Sequence, residues 1–409
     1  MSGLKQRYID YTATERDGRL PVLDGARALF VLFVAAFHIW QQSWLTPVLR
    51  GSNWSFSFDP LLRSGYMWVD AMLMLSGFLL YLPYAAAAED GKPAPSILPF
   101  YKKRILRIVP SYYLCVLVML VFVALPKGSY DVNGAFSWRR MGRDLLAHGT
   151  FTHTLFQFSY TGSPLNGSLW TLGVEMQFYL IFPFLGRLFK RWPVAVYACM
   201  LAAAFGYREW VRLQPDSTLI FNQLPGQLEA YANGMLAAGI YTALKRRMKQ
   251  DRWTRLLFTA LLCVCAACIW RLVKGQASSN GYENIRMGQM DRRFALSGLC
   301  ALGMLGLLYG ARPLRLIFGN RVTAFLSAIS FQFYMWHQVF AVQLKEWHIP
   351  ASGFESPWTA GDRSWQILYT ALCFAGALAI SALVTYVFER PIARLGSRKR
   401  AGKASKKHK

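Results

Sequence analysis

Three apolar stretches of this chain carry ionisable side chains. Arg27 and His38 share the first, Arg104 and Arg107 open the third, and Glu175 lies within Trp170-Thr171-Leu172-Gly173-Val174-Glu175-Met176-Gln177-Phe178-Tyr179. An ionisable group in hydrocarbon costs several kcal/mol unless it faces a polar cavity, which makes such groups functional candidates. Arg27 and His38 stand 38 − 27 = 11 positions apart, which returns to nearly the same helix face about 16 Å farther along the axis. Arg104-x-x-Arg107 puts two guanidiniums on one side of a helix mouth, where bidentate Arg suits phosphate. A neutral imidazole near a carboxylate can serve as general base on a hydroxyl, because its pKa lies near operating pH and the carboxylate fixes its tautomer.

These residues sit in a membrane protein. Of 409 residues 54% are hydrophobic and only 16% charged, and the apolar residues gather into runs of about 20, the length that crosses a bilayer core. Ten runs are expected to span as helices: 22 to 44, 65 to 84, 105 to 125, 169 to 189, 192 to 212, 224 to 243, 254 to 274, 294 to 311, 322 to 345 and 366 to 388. The stretch 144 to 160 is too short and polar to cross and reads as an interfacial or re-entrant helix. The fold class is therefore all-α, a polytopic bundle of about ten spanning helices. Residues 1–21 form a cytoplasmic N-terminal segment without the apolar core of a removable signal peptide; residues 22–389 are one transmembrane domain, and 390–409 a basic cytoplasmic tail.

The net charge of +25 could suggest nucleic acid, but Lys and Arg cluster in short loops and at both ends, as positive-inside topology and anionic lipid require. Both termini are expected in the cytoplasm. Two connections break the pattern: the outer 126 to 143, with Lys127, Arg139, Arg140 and Arg143, and 275 to 293, which is also basic. All seven cysteines lie in apolar runs, so Cys265-x-x-Cys268 reads as buried packing and no metal site is expected. Gly306-x3-Gly310 reads as a close helix contact.

Counting helical rise from the expected boundaries puts His38 about 24 Å and His337 about 22 Å above the cytoplasmic surface, with Asp70 and Glu175 about 6 to 9 Å below the outer one. Four titratable groups thus share the outer half, and Arg27, Arg104 and Arg107 the inner. A phosphorylated donor inside, an acceptor outside and a base between them is the layout of a transmembrane group transfer. Each residue also has a plainer reading: Arg27 paired with Asp24, His38 a hydrogen-bonded core histidine, Arg104 and Arg107 lipid anchors. Trp170 is most simply an interfacial aromatic, yet aromatics also line sugar sites; Trp170, Tyr179 and His337 are the candidates for acceptor contact.

Leu23-Asp24-Gly25-Ala26-Arg27 followed by His38 resembles the Arg-x10-His signature of the membrane-bound acyltransferase-3 family. Agreement continues in order through Trp68 to Leu80, Tyr101 to Tyr113 with its Arg-x-x-Arg, Gly167 to Pro183, Ile329 to Gln338, and Glu389-Arg390-Pro391. The resemblance implies an integral-membrane O-acyltransferase of a bacterial inner or plasma membrane. It would move an acyl group, commonly acetyl, from cytoplasmic acyl-CoA to a glycan or related hydroxyl acceptor. His38 would be the base, supported by Asp70 or Glu175, with Arg27, Arg104 and Arg107 binding the donor. Ala71-Met72 departs from the family's bulky aromatic pair, and no fused hydrolase-like domain is expected. Lipid, the acceptor and polysaccharide assembly proteins are the expected partners, nucleic acid is not, and no metal is expected. The rival reading is a non-catalytic transporter or carrier of a lipid-linked glycan or acylated metabolite, and a third is a scaffold in polysaccharide assembly.

Overall fold

The structure, a computed structural model, describes residues 20–394; the N-terminal segment before residue 20 and the tail beyond residue 394 lie outside the described residues. Ten long helices overlap the ten expected runs, with α3 and α8 beginning well before theirs: α1 (Pro21–Ser43), α2 (Trp68–Glu89), α3 (Ile97–Met119), α4 (Trp170–Arg191), α5 (Pro193–Arg212), α6 (Leu224–Arg247), α7 (Arg252–Ala277), α8 (Tyr282–Tyr309), α9 (Arg321–Glu346) and α10 (Arg363–Leu383). Strand is confined to two short hairpins in connections. The 144 to 160 region holds a 12-residue helix (Trp138–Gly149) and two single turns, about 18 Å of helix at most and too short to cross.

The expected span count needs correction. Among the described residues six helices are long and apolar enough to cross a membrane: α1 to α4, α7 and α10 with their flanking turns. A seventh is added if α8 and the following Arg312–Phe318, bent by 114°, count as one. The shortfall has a physical cause. α6 buries Gln227, Glu229 and Asn233, and α9 buries Ser327, Ser330, Gln332, His337 and Gln343, so their polar groups turn inward and lower the apolarity of the whole helix. α5 ends in Arg208, Glu209 and Arg212.

Local chemistry sets the helix ends. Pro21 occupies the first turn of α1, with Asp24 against the positive end of its dipole. Asn320 and Thr323 form a reciprocal cap at α9, and the Asp251 and Asp362 side chains cap α7 and α10. α1 and α9 run parallel in near-constant register: Arg27 meets Ser327, His38 meets His337, and Lys345 donates to the Gln42 carbonyl at 3.1 Å.

Close backbone approach joins the other central pair. A Cβ on Gly234 of α6 would collide with the Met74 carbonyl oxygen and come within 2.7 Å of the Phe78 nitrogen, and one on Gly77 would come within 2.5 Å of the Tyr231 carbonyl. Small residues bring helices together in this way where apolar burial alone gives no drive to associate. Gly306 meets α7 likewise, its Cβ position 2.9 Å from the Phe258 carbonyl. Replacing Gly234 with Ala should separate α2 from α6 and cost about 1–3 kcal/mol, the range for overpacking a filled core. A thermal melt of the purified protein in detergent checks this, and an unchanged midpoint would contradict the contact.

Candidate functional site

Two cavities lie one above the other along the α1–α9 seam. The first, about 150 Å³, is lined by Arg27, Arg104, Arg107, Ser76, Glu175 and Tyr179 among apolar walls; it is the arginine chamber. The second, about 420 Å³, is lined by His38, Trp40, Tyr66, Trp170, Asn222 and Gln289 among others; it is the histidine chamber. Both are lined by Val69 and Tyr334. The expected corridor is thus divided, with Arg27 and His38 on opposite sides of a shared wall.

In the arginine chamber the positive side chains outnumber the negative. Three arginines and one carboxylate, Glu175, line it. Arg104 lies 5.3 Å from the Tyr179 ring centre and 5.7 Å from that of Phe100, and its buried Nε has no partner among the described residues. Arg107 is exposed at the mouth. Arg27 donates to Ser327 Oγ at 3.5 Å, and Ser327 Oγ in turn donates to Asp24 Oδ1 at 2.8 Å. Glu175 accepts from Ser76 Oγ at 3.1 Å and from the Tyr179 hydroxyl one turn along α4. The Asn166 side chain caps the turn that leads into α4 and donates to the Met335 carbonyl at 2.6 Å, locking Glu175 relative to α9.

In the histidine chamber the hydrogen bonds decide the tautomers. His337 Nδ1 lies 2.9 Å from the Phe333 carbonyl oxygen, which can only accept, so Nδ1 carries the proton and Nε2 a lone pair. His38 Nδ1 lies 2.8 Å from that Nε2 and must be the donor. His38 Nε2 is left with its lone pair, as a general base on a hydroxyl requires. Trp40 Nε1 and Asn222 Oδ1, a donor and an acceptor that line the same chamber, are buried without partners among the described residues. With Tyr66, Trp170, Phe221 and Tyr282 around them, they make an aromatic, hydrogen-bonding pocket within the 300–1,000 Å³ of small-molecule sites.

The predicted site residues therefore divide. Arg27, Arg104, Arg107, Glu175 and Tyr179 come together in one chamber, His38 and Trp170 in the other, and His337 stands directly behind His38. Asp70 joins neither. Its Oδ1 accepts from Arg293 Nε at 3.0 Å, both side chains fully buried, and Arg293 also donates to the Gly226 carbonyl at 2.7 Å. The orienting partner of His38 is thus His337, with neither Asp70 nor Glu175 beside it. Ser76 and Arg293 are not among the predicted residues, and Tyr334 reads in sequence as an interfacial aromatic rather than a site residue. Tyr334 precedes His337 by three residues on α9, a same-face spacing that points to it, whereas Arg293 reads in sequence as a basic helix flank.

The model of the acyltransferase domain that defines the acyltransferase-3 family matches residues 20–386. The chain belongs to that family. It is 22% identical over 445 residues to the Caenorhabditis elegans protein named regulator of hypoxia-inducible factor 1, covering 96% of this chain and 83% of that one. It is 26% identical over 184 residues to the peptidoglycan O-acetyltransferase OatA of Listeria monocytogenes, covering 42% of this chain and 25% of the relative. Nodulation protein 10 of Rhizobium leguminosarum bv. viciae is 28% identical over 204 residues, covering 46% and 50%. The chain thus spans from a quarter to a half of the length of those two bacterial relatives. No solved structure matches.

In this acyltransferase-family membrane protein the Asp70–Arg293 pair has a structural consequence. Removing one partner of a buried ion pair leaves an uncompensated charge and costs about 3–5 kcal/mol, whereas replacing both with apolar residues is often neutral. Arg293→Met should therefore lower the melting point sharply, and Arg293→Met combined with Asp70→Leu should recover most of the loss. Equal destabilisation by the single and double variants would rule out the pair as the cause.

Proposed function

We propose that this protein is an integral-membrane O-acyltransferase that moves an acyl group, acetyl in the simplest case, from acyl-CoA to a hydroxyl of a glycan or related acceptor. The observation that carries this reading is the chain from the Phe333 carbonyl through His337 to His38, which frees His38 Nε2 in an aromatic pocket above a chamber of arginines. Family membership and relatives named as O-acetyltransferases support it.

The donor approaches from the basic end, placed in the cytoplasm. Its phosphates meet Arg107 and Arg104 at the mouth, outside a chamber too small for a nucleotide. Arg27 holds the inner end of the donor arm. The acceptor enters the histidine chamber from the other side, with its ring against aromatic faces and its hydroxyls on Trp40 Nε1 and Asn222 Oδ1. His38 Nε2 takes the hydroxyl proton as the oxygen attacks the thioester carbonyl; a C–O bond forms, the C–S bond breaks, and the proton ends on the departing thiolate. His337 positions rather than reacts: it holds the Nδ1–H tautomer of His38, as the third member of a catalytic triad does for its histidine.

Purified protein incubated with radiolabelled acetyl-CoA should release CoA only when a glycan acceptor is added. His38→Ala should reduce that release by about 10²–10⁴-fold, the usual contribution of a general base, and a folded variant that kept its rate would remove the base role. His337→Leu should also slow transfer, and His337→Gln should restore part of it, because the Gln Oε1 can accept from His38 Nδ1–H. Leu and Gln variants of equal activity would deny His337 its positioning role. Arg104→Gln should raise KM for the donor more than it lowers kcat, which initial rates over a range of acetyl-CoA will show.

A further inference from the structure

We infer that Val69 and Tyr334 set the length of the acyl chain this protein transfers, an inference that rests on the acyltransferase reading above. These two side chains line both chambers, so they form the wall that separates the donor arm from the base. Both are rigidly placed: Val69 is 4% exposed and Tyr334 3%. The Tyr334 hydroxyl is tied to Thr171 Oγ1 at 2.9 Å, and its ring centre lies 5.9 Å from that of His337.

The chemistry fixes where the thioester must lie. Its carbonyl carbon has to meet an oxygen activated by His38 Nε2 while its sulfur remains on the arm that rises past Arg27. The carbonyl therefore sits at the wall; an acyl chain turned back toward the arm shares the arginine chamber with it, and one turned forward has to pass Val69 and Tyr334. That chamber holds about 150 Å³, a volume comparable to an apolar cavity that takes up benzene, a molecule of six carbons. An acetyl thioester with the two methylenes before the sulfur has about six non-hydrogen atoms and fills such a space. A longer chain must press on the wall or on the apolar side chains packed beneath it, Leu73, Leu172 and Phe331. Met72 lies on the same side.

The test is the ratio of kcat/KM for acetyl-CoA to that for butyryl-CoA and hexanoyl-CoA, with one acceptor throughout. One extra methylene in a tight pocket is worth about 10–200-fold, so the native protein should favour acetyl over butyryl by at least about tenfold. Val69→Ala and Tyr334→Leu should each reduce that ratio by about tenfold or more, and Val69→Phe should suppress even acetyl transfer. Tyr334→Phe, which keeps the ring and loses the hydroxyl, should keep the native preference for acetyl. Val69→Ala removes only two methyl groups and serves as the arbiter if the Tyr334 variants fail to fold. An acetyl-to-butyryl ratio near one in the native protein, or one that Val69→Ala leaves unchanged, would overturn the inference while leaving the acyltransferase reading intact. Absence of turnover with every acyl-CoA in the native protein would overturn both.

Discussion

The contact between His38 Nδ1 and His337 Nε2 is the constraint on which the rest of the site depends. An imidazole among lipid-embedded helices needs a partner for its N–H, and here the partner is another imidazole whose own proton is committed to a backbone carbonyl. That commitment runs in one direction only. The Phe333 carbonyl cannot donate, so the proton positions along the chain are determined and the free lone pair falls at the far end, on His38 Nε2. The geometry survives only if α1 and α9 keep their register, and the structure fixes that register elsewhere as well. Arg27 against Ser327 lies about three turns toward the basic end, and Lys345 against the Gln42 carbonyl one turn beyond the histidines. A slip of one residue along this seam would turn the lone pair away and carry Ser327 off both Arg27 and Asp24 at once.

Burial and charge are sorted along the same axis. The arginine chamber is cationic and small, the histidine chamber aromatic and larger, and the wall between them is one aliphatic and one phenolic side chain. A thioester loses its acyl group to any nucleophile that reaches its carbonyl, water included. In the proposed transfer, the Val69–Tyr334 wall would keep water of the larger chamber off the donor, as exclusion of water prevents side reactions in other active sites.

Much of this was legible in the sequence, because helical geometry needs only spacing. The 11-residue interval between Arg27 and His38 does put both on the face that meets α9, and the shared depth expected of His38 and His337 proves to be direct contact. Depth, however, is one coordinate of three. Glu175 and Asp70 also fell in the outer half by counting, yet Glu175 lies across the wall with Ser76 and Tyr179, and Asp70 faces α8. Azimuth around a bundle follows from which helices pack together, and a lone sequence does not encode that. The partner of Asp70 stands 223 positions away, inside α8 but just before the expected run 294 to 311, where a basic residue looks like an ordinary flank. Helix positions were read correctly while apolarity was overestimated, since α6 and α9 hide their polar groups inside the bundle.

The three arginines raise a last point about what holds the site open. Arg27 has a partial counter-charge in Asp24, relayed through Ser327, while Arg104 is supported by two aromatic faces and its buried Nε has no partner among the described residues. A guanidinium tolerates such surroundings better than an ammonium, because it is weakly hydrated and stacks on rings. Glu175 lies close enough to line the same cavity but is engaged by two hydroxyls, Ser76 and Tyr179. One carboxylate so engaged, against three arginines in the same lining, leaves the chamber net positive. The fold therefore spends stability on a cationic entrance, and an anionic ligand is the physical condition that would return it.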